Sequence, residues 1–219
     1  MEENGKRLED YTDYQRGSLI FVNDYTREMR QINTRTVKSW LYYFITVFIG
    51  IYLHEIGHCV VAWFYGKRAI PTPAKEYLLD VVSPEVQQYI SLGGILGTVF
   101  FSLTLFYLYL KAPHKFPLSI YAASLASPGI YSFLFALKGR GHDATEFQEA
   151  QAAMGFSYSG HFVDYLFLVI LMAGIFFWIY KSKPAIKILP ILVIGFILTV
   201  VFIVGLQTIN NRLFDPLFS

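Results

Sequence analysis

Long apolar runs separated by short polar stretches make up most of this chain. The runs cover about residues 40–65, 90–110, 117–137, 162–180 and 185–206. About 20 consecutive apolar residues are enough for a helix to cross the hydrocarbon layer of a bilayer. The pattern therefore predicts an all-α fold, a polytopic membrane helix bundle with about five transmembrane helices.

The polar stretches predict how the chain is divided. Residues 1–38 carry seven basic and seven acidic side chains, which favours an extramembrane arm that is partly helical or disordered. Between the first two runs, Pro71, Pro73 and Pro84 exclude a continuous membrane helix, and the sequence EYLLDVV there is expected to form a strand or one interfacial turn. The predicted units are the arm (1–39), a core of three spans and a polar loop (40–160), and two C-terminal transmembrane helices (161–219).

Composition agrees with a membrane location. Of the 219 residues, 54% are hydrophobic and 16% are charged, and the mean hydropathy is +0.42. The net charge of +2 is too small to indicate a nucleic-acid partner. The single cysteine, Cys59, excludes an intramolecular disulfide and is expected to be a small buried packing residue. We therefore expect an integral, multi-pass protein of the cell membrane, with the lipid bilayer as a partner.

One group of ionisable residues interrupts the first apolar run, in the sequence HEIGH from His54 to His58. Residues four apart share one face of a helix, so the two imidazoles can bind a single ion, and neutral imidazoles suit zinc. Glu55 is placed to take a proton from a water molecule that attacks a carbonyl. An acidic residue at the centre of a span costs about 2.5–3.5 kcal/mol. The motif therefore predicts one Zn2+ per chain, with Glu55 as the catalytic residue.

Two simpler interpretations of this cluster remain open. The side chains could form a buried polar cluster that ties helices together, or they could line a path for protons or ions. Gly57 is expected to leave the helix surface open, so that the backbone of a substrate can come close.

The motif continues beyond its first five residues. His54-Glu55-x-x-His58 is followed by Ala62 and Gly66, and a second stretch, SLGGILGT (residues 91–98), carries Gly94. Together they resemble the site-2 protease family of intramembrane zinc metalloproteases. In the second motif an isoleucine replaces the family's proline and Thr98 replaces its asparagine.

The resemblance covers about residues 40–150 and implies a three-helix catalytic core, a transmembrane protein as substrate, and an aspartate as third zinc ligand. Asp143, in GRGHDATEF, lies 85 residues after His58, a separation similar to that in the family, although its flanking residues differ.

Other residues compete for that position. His142 is a good zinc donor, and Glu146 would share a face with Asp143 if this segment is helical. Asp143 could instead cap a helix N-terminus. His161 and Asp164 form a further pair, which we expect to be interfacial polar residues.

Two rival functions fit the same motif. One is a membrane metalloprotease of another lineage, resembling prenyl-protein proteases, with a distant glutamate as third ligand. The other is a non-catalytic metal or proton transporter that uses His54, Glu55, His58 and Asp164.

Two arguments about membrane orientation disagree. Near the span ends, the side that carries the N-terminus has nine Lys and Arg residues and the opposite side has six. Because basic residues are enriched on the cytoplasmic side, this count predicts a cytoplasmic N-terminus. The family resemblance implies the reverse, and we adopt it.

Overall fold

The computed structural model describes residues 2–3, 6–7, 37–112, 118–139, 141–157, 161–181 and 189–218. Most of these residues are helical, in agreement with the predicted all-α class. The helices are α1 (Val37–Phe64), α2 (Pro84–Lys111), α3 (Leu118–Ser124), α4 (Ala126–Lys138), α5 (His142–Ala153), α6 (His161–Lys181), α7 (Leu189–Leu213) and α8 (Asp215–Phe218). Four short strands accompany them: β1 (Glu2–Glu3), β2 (Lys6–Arg7), β3 (Ala69–Thr72) and β4 (Lys75–Leu78).

Three helices are long and apolar enough to cross a membrane, over Trp40–Phe64, Pro84–Lys111 and Val193–Leu213. Helix α6 adds a shorter apolar stretch, His161–Phe176. The third predicted run is not one continuous helix, because Leu125 separates α3 from α4. The structure thus supports a membrane protein and gives three candidate spans among the described residues, whereas five spans remain a prediction.

The outer face of α2 shows what such a helix presents to its surroundings. Leu96, Phe100, Leu103 and Tyr107 follow one another at helical spacing, and each is more than half exposed. A continuous apolar stripe of this kind is unfavourable in water and favourable against lipid chains.

Helices α1 and α2 pack backbone to backbone, and glycines make this possible. A Cβ atom on Gly93 would lie 2.5 Å from the carbonyl oxygen of Gly57, and one on Gly97 would lie 2.7 Å from that of Leu53. The prediction that Gly57 leaves room for a substrate backbone is therefore wrong, because α2 occupies that surface.

The segment between α1 and α2 folds into an antiparallel hairpin of β3 and β4, with Ala69 paired to Leu78 and Thr72 to Lys75. Within EYLLDVV, the strand alternative is confirmed for residues 76–78, whereas residues 79–82 lie outside the strand. Arg68 closes the base of the hairpin, since its Nη2 lies 2.8 Å from Oδ1 of Asp80.

Two further links position the remaining elements. Tyr77 of β4 donates a hydrogen bond of 2.5 Å to Oδ1 of Asp215 in α8. The hydroxyl groups of Tyr43 in α1 and Thr199 in α7 are 2.6 Å apart. Strands β1 and β2 pair at the start of the arm, whereas the other residues before α1 lie outside the described part of the chain.

Candidate metal centre

Helix α1 holds His54 and His58 on one face, one turn apart, as the sequence predicts. Both side chains are buried, and their Nε2 atoms are 3.1 Å apart. Two ring nitrogens this close share one proton or face a common cation.

The far side of each ring is held by α2. Nδ1 of His58 donates a hydrogen bond of 2.7 Å to the carbonyl oxygen of Ile90, which can only accept. In the neutral ring this leaves the lone pair on Nε2, the form that binds a metal. Nδ1 of His54 lies 2.9 Å from Oγ1 of Thr98, which is compatible with the same tautomer. Thr98 is thus a contact of the first histidine.

Gly94 provides the space for the second ring. A Cβ atom at this position would collide with Nε2 of His58. The small-residue motif of α2 therefore has two effects: it brings the helices together and it leaves room for a candidate ligand.

Asp143 approaches the histidines from the first turn of α5. Its Oδ2 lies 3.2 Å from Nε2 of His54 and 4.0 Å from Nε2 of His58. The N-cap residue of α5 is Gly141, so the alternative in which Asp143 caps this helix is wrong. Three donors at about 2.0–2.1 Å from a tetrahedral zinc lie about 3.3 Å apart. The observed separations of 3.1, 3.2 and 4.0 Å surround that value.

The charge on Asp143 suits a cation. Burial alone would raise the pKa of Asp143, but positive charge on His54 and His58, together with a hydrogen bond from Tyr131, lowers this pKa to about 2. A buried carboxylate that stays ionised needs a positive partner, which is either a protonated histidine or a metal ion bound by the neutral histidines. The donor set of two imidazoles and one carboxylate therefore fits zinc.

A residue of α6 fixes the start of α5. The side chain of Asp164 is fully buried, and its Oδ1 accepts a hydrogen bond of 2.9 Å from the backbone N–H of Gly141. A position of Asp164 at a membrane interface stays a prediction, but its side chain is enclosed by the protein at the start of α6. Asp164 positions the turn that carries Asp143.

The competing ligands lie outside the cluster. The side chain of His142 is 79% exposed, with its Nε2 3.2 Å from Oε1 of Glu146. The carboxylate of Glu146 accepts a hydrogen bond of 3.2 Å from Ser91. Neither residue belongs to the group formed by the two histidines and Asp143.

Glu55 is buried beside this group and has a neighbour that the sequence did not reveal. Ligand atoms of Glu55, His58 and Glu76 lie within 4.8 Å of one another. Glu76 belongs to β4, so the hairpin brings a second carboxylate next to the predicted proton acceptor. Its position in a mixed-charge loop gave no signal of this role.

Tyr131 of α4 is a second residue that sequence reasoning missed. Its hydroxyl donates a hydrogen bond of 2.8 Å to Oδ2 of Asp143 and lies 2.8 Å from Nε2 of His54. It belongs to the stretch SPGIYSF at the start of α4. In a chain with 16 tyrosines, nothing distinguishes it by sequence.

Comparisons with family models, with curated proteins and with solved structures find no match to this chain.

Proposed function

We propose that the protein is an intramembrane zinc metalloprotease, similar to site-2 proteases, that cleaves peptide bonds of transmembrane-helix substrates. The observation that supports this most strongly is the convergence of His54 Nε2, His58 Nε2 and Asp143 Oδ2 in a buried position. These atoms come from helices far apart in sequence, and their separations suit one tetrahedral metal ion.

The chemistry of such a site divides between the metal and the chain. A zinc ion held by His54, His58 and Asp143 would polarise the scissile carbonyl and acidify water. Glu55 takes the proton from the attacking water and delivers it to the leaving nitrogen of the peptide bond. The burial of all four side chains keeps bulk water away.

The membrane setting completes the proposal. The bundle crosses the cell membrane about five times, and the first three predicted spans form the catalytic core. Exposed apolar side chains on α1 and α2 support contact with lipid or with an apolar substrate helix. The substrate must unwind locally, because a helical peptide bond is enclosed by its own hydrogen bonds.

The two rival functions fit the geometry less well. A transporter needs ionisable groups along several spans, whereas within the described part of the three candidate spans Glu55 is the single acidic residue away from the helix ends. Asp164, the transporter candidate on α6, accepts a hydrogen bond from Gly141 instead. A protease with a glutamate as third ligand would use Glu76, whose group includes only one of the two histidines.

The deciding experiment is elemental analysis of the chain purified without chelators, together with cleavage of a transmembrane peptide. We expect about one zinc per chain in the wild type and in Glu55→Gln, with proteolysis lost in the variant. His54→Ala should lose both proteolysis and the metal. The exposed His142→Ala is the matched control and should keep both. Metal-free wild-type protein, or a Glu55→Gln variant that still cleaves, would refute the proposal.

A further inference from the structure

The hydroxyl of Tyr131 lies where the candidate ligands converge. It is 2.8 Å both from Nε2 of His54 and from Oδ2 of Asp143. These two atoms are themselves 3.2 Å apart. Three donor atoms thus form a compact triangle, and an ion bound by the histidine and the aspartate would lie within reach of the phenol oxygen.

The ring of Tyr131 is held firmly in this position. It stacks on Phe167 of α6, with ring centroids 4.4 Å apart and planes inclined by 9°. On another side, a Cβ atom on Gly141 would lie 3.0 Å from the ring. The aim of the hydroxyl is therefore set by packing, because a tyrosine ring fixed at its two torsions leaves its oxygen little freedom.

Counting protons shows why this oxygen is unusual. The hydroxyl has one proton, which it donates to the carboxylate of Asp143. If His54 carries its proton on Nδ1, toward Thr98, then Nε2 of His54 also presents a lone pair to the phenol oxygen. Facing lone pairs repel one another unless a cation lies between them.

We propose that Tyr131 is a fourth protein ligand of the metal in the substrate-free protein and that the carbonyl oxygen of the substrate displaces it. This rests on the proposed function, because it requires the metal centre of His54, His58 and Asp143. A phenol that binds as phenolate releases its proton to solvent and recovers it when it leaves. The hydroxyl then remains beside the carbonyl oxygen as a hydrogen-bond donor.

Cobalt is the probe, because the visible spectrum of Co2+ responds to the number and geometry of its ligands. The comparison uses wild type, Tyr131→Phe and Tyr165→Phe, each loaded with Co2+. Tyr131→Phe keeps the ring and its stack on Phe167 but removes the oxygen. Tyr165, on α6, is 56% exposed and serves as the control.

We expect each protein to bind one Co2+, and only Tyr131→Phe to show shifted band positions and altered intensity. Acetohydroxamate, which binds metals through two oxygens and imitates a substrate carbonyl, should make the spectra of wild type and Tyr131→Phe converge. A second measurement uses the wild-type protein: adding Zn2+ to the metal-free chain should produce the ultraviolet difference band of one tyrosinate, because the proposed ligand is a phenolate.

Results that contradict the role of Tyr131 can be distinguished from results that contradict the metal centre. Superimposable spectra with one Co2+ bound in both proteins would show that Tyr131 is not a ligand, and the metal centre would stand. Binding of one Zn2+ without a tyrosinate band would mean the same. A wild-type protein without bound Co2+ would overturn the metal centre itself, and the role of Tyr131 with it.

Discussion

Replacing Gly94 by alanine tests the metal centre without altering any ligand. The added Cβ would overlap Nε2 of His58. To avoid this, the ring must turn away, which breaks the 2.7 Å hydrogen bond from its Nδ1 to the carbonyl oxygen of Ile90. Gly94→Ala should therefore move His58, one proposed metal ligand, from its position, although all three proposed ligands remain in the sequence.

The expected size of the effect follows from the two parts of this change. Loss of a supporting contact alone lowers metal affinity about 10–100-fold, and a displaced ligand adds to this. A decrease of about 100-fold corresponds to about 2.7 kcal/mol. Overpacking of the helix contact lowers the free energy of unfolding by about 1–3 kcal/mol. The higher helix propensity of alanine raises it by about 1 kcal/mol.

Gly205→Ala provides the matched control, because nothing lies within 4 Å of a Cβ atom at that position in α7. It should keep wild-type metal affinity and equal or higher stability. Affinity is measured by competition with a chromophoric chelator, and stability by thermal unfolding in detergent. Wild-type affinity in Gly94→Ala would refute the reasoning from the helix contact.

Three further predictions concern other parts of the molecule. Asp143→Ala should weaken zinc binding by about 100-fold or more, whereas His142→Ala should leave it unchanged, and a zinc titration that ranks them in the opposite order would exclude Asp143 as the third ligand. The hydrogen bond from Tyr77 lowers the pKa of Asp215. Its stabilising effect is therefore present above the pKa of a free carboxyl and is lost as the pH falls through the lowered pKa of Asp215. Tyr77→Phe should raise the pKa of Asp215 in an NMR titration. For the orientation, Ser157, which is exposed, is replaced by cysteine after alanine has replaced the native cysteine. If the polar loop faces the cytosol, this cysteine should resist an impermeant thiol reagent in intact cells. Ready labelling would show that the loop faces the outside.

Local sequence signals predicted the parts of the site that depend on helical spacing. His54 and His58 share a face because they are four residues apart, and Cys59 is fully buried, as expected. The sequence shows the glycines of α2, but not the helix against which they pack. Which helix fills the space beside Gly57 is a property of the tertiary arrangement, and one sequence contains no direct measure of it.

Residues that act through distant contacts escaped prediction for the same reason. Tyr131 contacts His54 across 77 positions of the sequence. Glu76 reaches Glu55 only because a hairpin folds back on α1. Asp164 looked interfacial because it begins an apolar helix, yet it is buried against Gly141. In each case the residue type was visible and its partner was not.

The position of Asp143 explains how the proposed third ligand can be placed without the flanking residues that the resemblance implies. Helix α5 is polar and lies outside the three candidate spans. Its first turn is held by the buried carboxylate of Asp164, and a cluster of Ile95, Ala144, Val163 and Phe167 packs α2, α5 and α6 together. The proposed ligand is therefore placed by contacts with two other helices and not by the residues next to it. Under this arrangement, Asp164→Asn should reduce metal binding much less than Asp164→Ala, because the amide oxygen can still accept the N–H of Gly141. Equal loss in both variants, measured by zinc content, would mean that the charge of Asp164 and not its hydrogen bond holds the turn in place.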